Sequence, residues 1–187
     1  DSDTSTYEWT IGGTTVGTSN TLAGVFLAGN LVSCTVTPDD GTDKGTDVSD
    51  DVTIENTAPE VTAVTLSPST VYTNDVITAS ATSSDEDGDT VSLNYDWYVD
   101  GSLVATGSGA SLSGVSYFDK DQEVYVVVTP NDGTEDGSSV TSSSSIVSNT
   151  PPSAPTVQIT PSNPRASQDL TCSTVTLSSD VDNDNVT

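Results

Sequence analysis

The clearest indication of the fold is the segment SSDEDGDTVSLNYDWYVDG, residues 83–101. It joins an acidic loop to a segment in which Tyr95, Trp97 and Val99 occupy every second position. Such alternation is typical of a β-strand with one buried face, and Asp100-Gly101 is a typical hairpin turn. The stretch therefore predicts a strand with Trp97 in the core, between an acidic turn and a tight turn.

The residues on either side of this segment, between 61 and 147, also predict short strands separated by turns. Only 32% of the 187 residues are hydrophobic, so each core must be thin. The apolar residues fall in short alternating runs, which indicates half-buried strands instead of disorder. The predicted strands are 61–66, 76–82, 92–99, 102–105, 124–129 and 138–147.

Several motifs of the chain occur twice. Four pairs match after about 90 residues: YEW at 7–9 with YDW at 95–97, VTPDDGT at 36–42 with VTPNDGT at 128–134, NTAP at 56–59 with NTPP at 149–152, and SSDEDGD at 83–89 with SSDVDND at 178–184. This period is close to the length of an immunoglobulin-type sandwich, about 100 residues. The repeats predict tandem all-β, immunoglobulin-like sandwiches.

The repeats also predict the domain organisation. We expect the C-terminal part of a sandwich (strands C to G) at 1–56, a complete sandwich at 57–149, and the N-terminal part of the next (strands A to B and the B–C loop) at 150–187. A second copy placed after the last residue would continue the repeat in the correct order. We therefore expect 187 residues to be one period of a polymer, either within one long chain or as a subunit completed by its neighbour. An arbitrary slice of a tandem-repeat protein is the alternative.

Charge restricts the partners of the chain. The net charge is −25, from 28 acidic residues against Lys44, Lys120 and Arg165. Nucleic acid and anionic membranes bind through Lys and Arg, so neither is expected as a partner. No segment has the roughly 20 apolar residues of a membrane span. The chain has no Met, which suggests a processed or excised part of a longer protein.

Two acidic loops are candidate Ca²⁺ sites. Carboxylates alternate in each loop, and Ca²⁺ takes six to eight oxygen ligands. The candidate ligands are Asp85, Asp87 and Asp89 in one loop and Asp180, Asp182 and Asp184 in the other. An EF-hand is rejected because its position 12 is Asp96 instead of Glu. The alternatives are polar turns that use Asp for local hydrogen bonds, or adaptation to a saline habitat.

The set SSDxDxD, YxW, VTPxDGT and NTxP resembles the PKD-like and immunoglobulin-like tandem repeats of large secreted bacterial and archaeal surface proteins. The resemblance covers essentially the whole chain. It implies an extracellular or cell-surface location and a role as a stalk, adhesin arm or fibre with Ca²⁺ at the joints. The chain has WYVDG and WTIGG where typical PKD repeats have WDFGDG.

The resemblance also suggests a role for the two cysteines. Across the repeat junction the order Cys172, Trp9, Cys34 is that of immunoglobulin domains, in which a buried Trp packs on a disulfide between strands B and F. We expect Trp9 to be a core residue and Cys34 to pair with Cys172 across the junction, within a long chain or between subunits. The intact repeat has Thr78 and Val126 at these positions. A metal site or reactive thiol lacks support, since there is no His and no second Cys at ligand spacing.

Catalysis is not expected. The chain has no His and no Gly-rich phosphate loop, although a carboxylate pair remains an alternative. The two functions under consideration are a structural filament, stalk or fibre module, with neighbouring copies or adjacent repeats as partners, and an adhesin or carbohydrate-binding module. Few aromatics are left for ligand binding, with Tyr72 and Tyr117 the least committed. Asn185-Val186-Thr187 is a possible N-glycosylation sequon.

Overall fold

A computed structural model of the chain describes residues 3–24 and 26–186 and confirms the all-β prediction. The described residues form fourteen strands and one four-residue helix. In chain order they are β1 (Thr6–Ile11), β2 (Thr14–Gly17), β3 (Leu31–Thr37), β4 (Val48–Thr53), β5 (Glu60–Ser67), β6 (Val76–Ser84), β7 (Ser92–Val99), β8 (Ser102–Ala105), β9 (Ser111–Ser113), α1 (Gly114–Tyr117), β10 (Glu123–Asn131), β11 (Val140–Thr141), β12 (Ser145–Ile146), β13 (Thr156–Thr160) and β14 (Thr171–Thr176). No helix in this part of the chain has the length and hydropathy that a membrane span requires.

The chain divides into two compact units. The first contains the residues up to Glu60 together with Ser83–Ser92 and Pro130–Ser138, and the second contains Val61–Thr82, Leu93–Thr129 and the residues from Ser139 onward. The first unit thus includes two loops from the middle of the chain. The predicted domains 1–56, 57–149 and 150–187 follow the sequence repeat and stay a prediction.

The first unit is built on one antiparallel sheet in the order β2-β1-β3-β4. Trp9 lies directly opposite Cys34 in the pairing of β1 with β3, so both side chains lie on one face. The Trp9 indole Nε1 donates a hydrogen bond to the Ser19 carbonyl at 2.8 Å. Trp9 and Cys34 are each only partly buried.

The second unit contains a sandwich-like pair of sheets with a shared core. One sheet has the order β5-β6-β9, and the other has the order β11-β10-β7-β8, with β12 also paired to β10. Alternate residues of these strands are buried in one cluster: Val61, Ile77, Ala79, Tyr95, Trp97, Val99, Leu112, Val124, Val126 and Val128. Val71, Phe118 and Val147, which lie outside the strands, complete the cluster. Trp97 is 1% exposed, and its Nε1 donates to the Gly109 carbonyl at 3.0 Å.

Strands β13 and β14 form an exposed antiparallel hairpin. Its Thr156 and Thr176 hydroxyls lie 2.5 Å apart across the two strands. The hairpin follows the linker motif NTPP and precedes the second acidic loop, as β5 and β6 follow NTAP and precede the first. This order marks the hairpin as the counterpart of β5 and β6.

Candidate functional site

The acidic loop of residues 85–89 holds the preceding linker through hydrogen bonds to its backbone. The Asp87 carboxylate accepts the Thr57 N–H at 2.7 Å on Oδ2 and the Ala28 N–H at 2.9 Å on Oδ1. Asp85 Oδ1 accepts the N–H groups of Asp87 at 2.8 Å and Asp89 at 3.1 Å, which folds the loop. We call this arrangement in the first unit the first linker clamp. Its bonds to Asp87 are charge-assisted and therefore stronger than neutral ones.

The acidic loop of residues 180–184 makes the same arrangement in the second unit, and we call it the second linker clamp. Asp182 Oδ2 accepts the Thr150 N–H at 2.5 Å. Asp180 Oδ1 accepts the Asp182 N–H at 2.8 Å. Thr57 and Thr150 occupy the same position of the repeated NTxP motif. In both repeats the second Asp of the loop therefore holds the linker Thr.

A lysine distinguishes the second clamp from the first. Lys120 Nζ donates to both oxygens of Asp184, at 2.6 and 2.8 Å. This hydrogen bond and the charge of Asp184 raise the pKa of Lys120. In the first repeat, the residue that aligns with Lys120 is Ala28. Its backbone N–H donates to Asp87, and it has no charged side chain.

The second clamp also fits the chemistry of a hard cation. Oxygens of Asp180, Asp182 and Asp184 lie within 4.8 Å of one another. Three buried oxygens there lack a well-formed hydrogen bond: Asp182 Oδ1, Thr73 Oγ1 and Thr150 Oγ1. The nearby Thr73 hydroxyl is the main cause of a lowered pKa of Asp182, and Thr150 and Lys120 lower this pKa further. The ionised carboxylate thus lies beside two hydroxyl oxygens that could also serve a hard cation as ligands.

The first clamp fits a cation less well. Within the described part of the chain, Asp85, Asp87 and Asp89 do not converge in this way. Both Asp87 oxygens are occupied by backbone N–H groups, which leaves Asp85 Oδ2 as the buried oxygen without a partner.

A second contact holds the first linker, this time to the loop after β10. Asn56 Nδ2 donates to Asp132 Oδ2 at 2.8 Å and to Glu135 Oε1 at 3.2 Å. Asn56 is the main cause of a lowered pKa of Asp132, and the N–H groups of Glu135 and Thr134 add to the effect. The role of Asn56 was not predicted, although the repeated Asn of NTxP was a usable signal.

The linker also passes directly over a glycine of this loop. A Cβ built on Gly137 would lie 1.7 Å from the Pro59 carbonyl oxygen. Because no side chain fits in this space, Gly137 permits the close approach of the linker.

The loop after β3 has the same turn, and no linker among residues 3–24 and 26–186 lies against it. Asp40 Oδ1 accepts the N–H groups of Thr42 and Asp43, as Asp132 Oδ1 accepts those of Thr134 and Glu135. Beside this loop is an open groove of about 420 Å³, whose lining is Asp3, Ser5, Pro38, Asp39, Asp40, Asp43 and Gly45. We call it the empty groove.

Both cysteines are free thiols in the single chain. The expected bond across the repeat junction requires a second copy or repeat, and it stays a prediction. The counterpart of Cys172 is better assigned to Ile77 than to Thr78. Thr78 is exposed and Ile77 is buried, and the SSD motifs put Cys172 and Ile77 at the same distance from the acidic loop.

The glycosylation candidate Asn185 is exposed. Thr187, the third residue of its sequon, lies outside the described residues.

In comparisons with known proteins, no family model matches the chain and no curated protein matches it. The resemblance to PKD-like repeats therefore stays a proposal supported by motifs.

Proposed function

We propose that the chain is a structural repeat module of an extracellular filament, stalk or surface fibre, built from tandem immunoglobulin-like, PKD-like sandwiches. The observation that carries the proposal is the linker clamp, which occurs at both linkers with the same Asp and Thr positions. A carboxylate bonded to the linker backbone restricts the rotation of a segment that would otherwise be flexible. A protein that has to transmit force or hold a distance benefits from this restriction.

The experiment combines electron microscopy with a variant of the first clamp. We expect the native material to form stiff, regular filaments or rods, and Asp87→Ala to bend more or to be cleaved faster at residues 55–59 by a nonspecific protease. Asp89→Ala is the matched control, since this side chain makes no bond to the linker among those described. Isolated globules in the microscope, or equal cleavage of both variants, would contradict the proposal.

Ca²⁺ at the second clamp is part of the proposal. Asp180, Asp182 and Asp184 would supply carboxylates and the Thr73 and Thr150 hydroxyls further oxygens, as hard cations prefer. Lys120 competes with the ion for Asp184. Ca²⁺ should therefore raise the melting temperature, and Lys120→Ala should enlarge this rise. An unchanged midpoint with Ca²⁺ and with a chelator, in both proteins, would exclude structural Ca²⁺ there.

An adhesin or carbohydrate-binding module is the second proposal. It is supported by the exposed rings of Tyr72 and Tyr117, which are 37% and 44% accessible. Exposed aromatic rings can stack on ligands. Glycan binding that is lost in Tyr72→Ala or Tyr117→Ala would favour this function over a purely structural one.

A further inference from the structure

One face of the sheet β2-β1-β3-β4 carries apolar side chains that the described residues bury only in part. We call it the acceptor face, and its residues are Tyr7, Trp9 and Ile11 on β1 and Val32, Cys34 and Val36 on β3. All except Val32 are only partly buried. Their counterparts in the intact sandwich, Tyr95, Trp97, Val99, Val124, Val126 and Val128, are between 0% and 8% exposed.

The intact sandwich shows what normally covers such a face. The residues opposite Trp97 and Val126 in the core come from β5, β6 and β9, and they include Val61, Ile77 and Leu112. A counterpart of β5 and β6 exists in the chain as the β13–β14 hairpin. This hairpin leaves apolar side chains in solvent, with Val157 and Ile159 each 59% exposed. Their counterparts Val64 and Leu66 pack against the core.

The empty groove corresponds to the site that holds the linker in the intact repeat. In the intact repeat, Asn56 bonds to Asp132 and Glu135, and Pro59 lies over Gly137. In the empty groove the corresponding positions are Asp40, Asp43 and Gly45. The linker residues that match Asn56 and Pro59 are Asn149 and Pro152. Among the described residues, Asn149 Nδ2 bonds only to the adjacent Thr150 carbonyl, at 3.3 Å.

We propose that residues 149–177 of a second copy of this chain occupy the acceptor face and the empty groove. The β13–β14 hairpin completes the sandwich, and Asn149 and Pro152 fill the groove. This inference rests on the proposed function and names its partner. Because the donor and acceptor surfaces differ, the contact is heterologous and extends into an open chain of copies instead of closing into a dimer.

The cysteines provide the chemical test of this contact. Cys34 lies on the acceptor face opposite Trp9, and Cys172 lies opposite Ile159 on the hairpin. The two thiols would therefore enter the same core from opposite sheets. Oxidised glutathione can join them by exchange, in which one protein disulfide forms and two molecules of reduced glutathione are released.

Charge sets the conditions of the experiment. Each copy has a net charge of −25, so copies repel at low ionic strength. At about 1 M NaCl the Debye length falls to about 3 Å, which removes most of this repulsion. We expect association to increase with salt.

The experiment uses two full-length variants, Cys34→Ser and Cys172→Ser, each with one thiol. In high salt with oxidised glutathione, we expect a cross-linked species of twice 19.1 kDa in their mixture and much less in either variant alone. The unmodified protein should give a ladder. No cross-link in the mixture, or equal cross-linking of one variant with itself, would overturn the proposal.

A groove variant separates docking from chance collision of thiols. Gly45→Leu fills the empty groove and should slow cross-linking at least several-fold when placed in the Cys172→Ser chain. Gly109→Leu is the control, since a Cβ there meets nothing within 4 Å. Equal rates for the two would overturn the role of the groove. If no variant cross-links, the docking of a second copy is wrong, but the proposed function as a stalk made of one long chain is not affected. Electron microscopy tests that function separately.

Discussion

The regions around Trp97 and Trp9 share a sequence pattern but not an environment. Each Trp follows a Tyr on the same strand face and donates its indole N–H to a carbonyl of a later segment. Trp97 is 1% exposed beneath a second sheet, whereas Trp9 is only partly buried on a single sheet. The strand and the indole hydrogen bond therefore form locally, while the burial of the Trp ring depends on the opposing sheet.

The largest expected effect comes from removing each Trp. Trp97→Ala should lower the free energy of unfolding by about 3–5 kcal/mol, because it leaves a cavity in a closed core. Trp9→Ala should cost clearly less in the single chain, since Trp9 is only partly buried. Urea unfolding of both variants measures the difference. Equal losses in the single chain would mean that the acceptor face is already covered.

A smaller effect is expected at the two loop glycines. Gly137→Ala places a methyl group against the Pro59 carbonyl and should cost about 1–3 kcal/mol, as overpacking does. The atoms nearest to a Cβ on Gly45 all belong to the Pro38 side chain, the first at 3.1 Å, and none is backbone. Gly45→Ala should therefore leave the melting temperature of the single chain nearly unchanged. A large loss at Gly45 would show that something other than the linker restricts this position.

The smallest expected effect is the acid dependence of the first linker. The folded-state pKa of Asp132 is lowered, chiefly by Asn56, so this contribution to stability is present at neutral pH. It begins to decline near the unfolded pKa of about 3.9 and is lost as the pH falls through the folded value. Asn56→Ala should thus destabilise the protein slightly at pH 7, and this difference should shrink in strong acid.

Asn149→Ala is the matched control for the acid experiment. Its amide bonds to the Thr150 carbonyl instead of a carboxylate, so urea midpoints should show no such acid-dependent difference in the single chain. An Asn56→Ala effect that stays constant between pH 7 and about pH 2.5 would contradict the assigned role of Asp132.

Most strand positions of the intact repeat were predictable, since they depend on alternation and turns. The predicted 92–99 and 102–105 match β7 and β8, and 61–66 lies within β5. The predicted strand 138–147 is instead two short strands, β11 and β12. Between them the buried Ser142 accepts the Val126 N–H on its Oγ at 3.1 Å, so a side chain replaces a ladder carbonyl. A side-chain acceptor of this kind does not change the hydrophobic pattern, so the pattern could not predict the break in the strand.

The candidate site was predictable in position but not in its contacts. Alternating Asp residues located both acidic loops, because that pattern is visible along the chain. The partners of these residues are backbone N–H groups of Thr57 and Thr150, about 30 positions away, and every residue except Pro has such a group. The residue types therefore did not predict the linker clamps. They also did not predict that Lys120 would contact the second clamp.

The all-β class, the repeat and the two acidic loops could be predicted from the amino-acid sequence, because they depend on neighbouring residues and on motifs that can be compared directly. Three further properties required the three-dimensional fold: which copy of each motif is buried, which carboxylates hold a linker, and where a surface lacks cover. These properties depend on contacts between distant segments. A Trp on a strand is compatible with both a closed core and an open face until the opposing sheet is known.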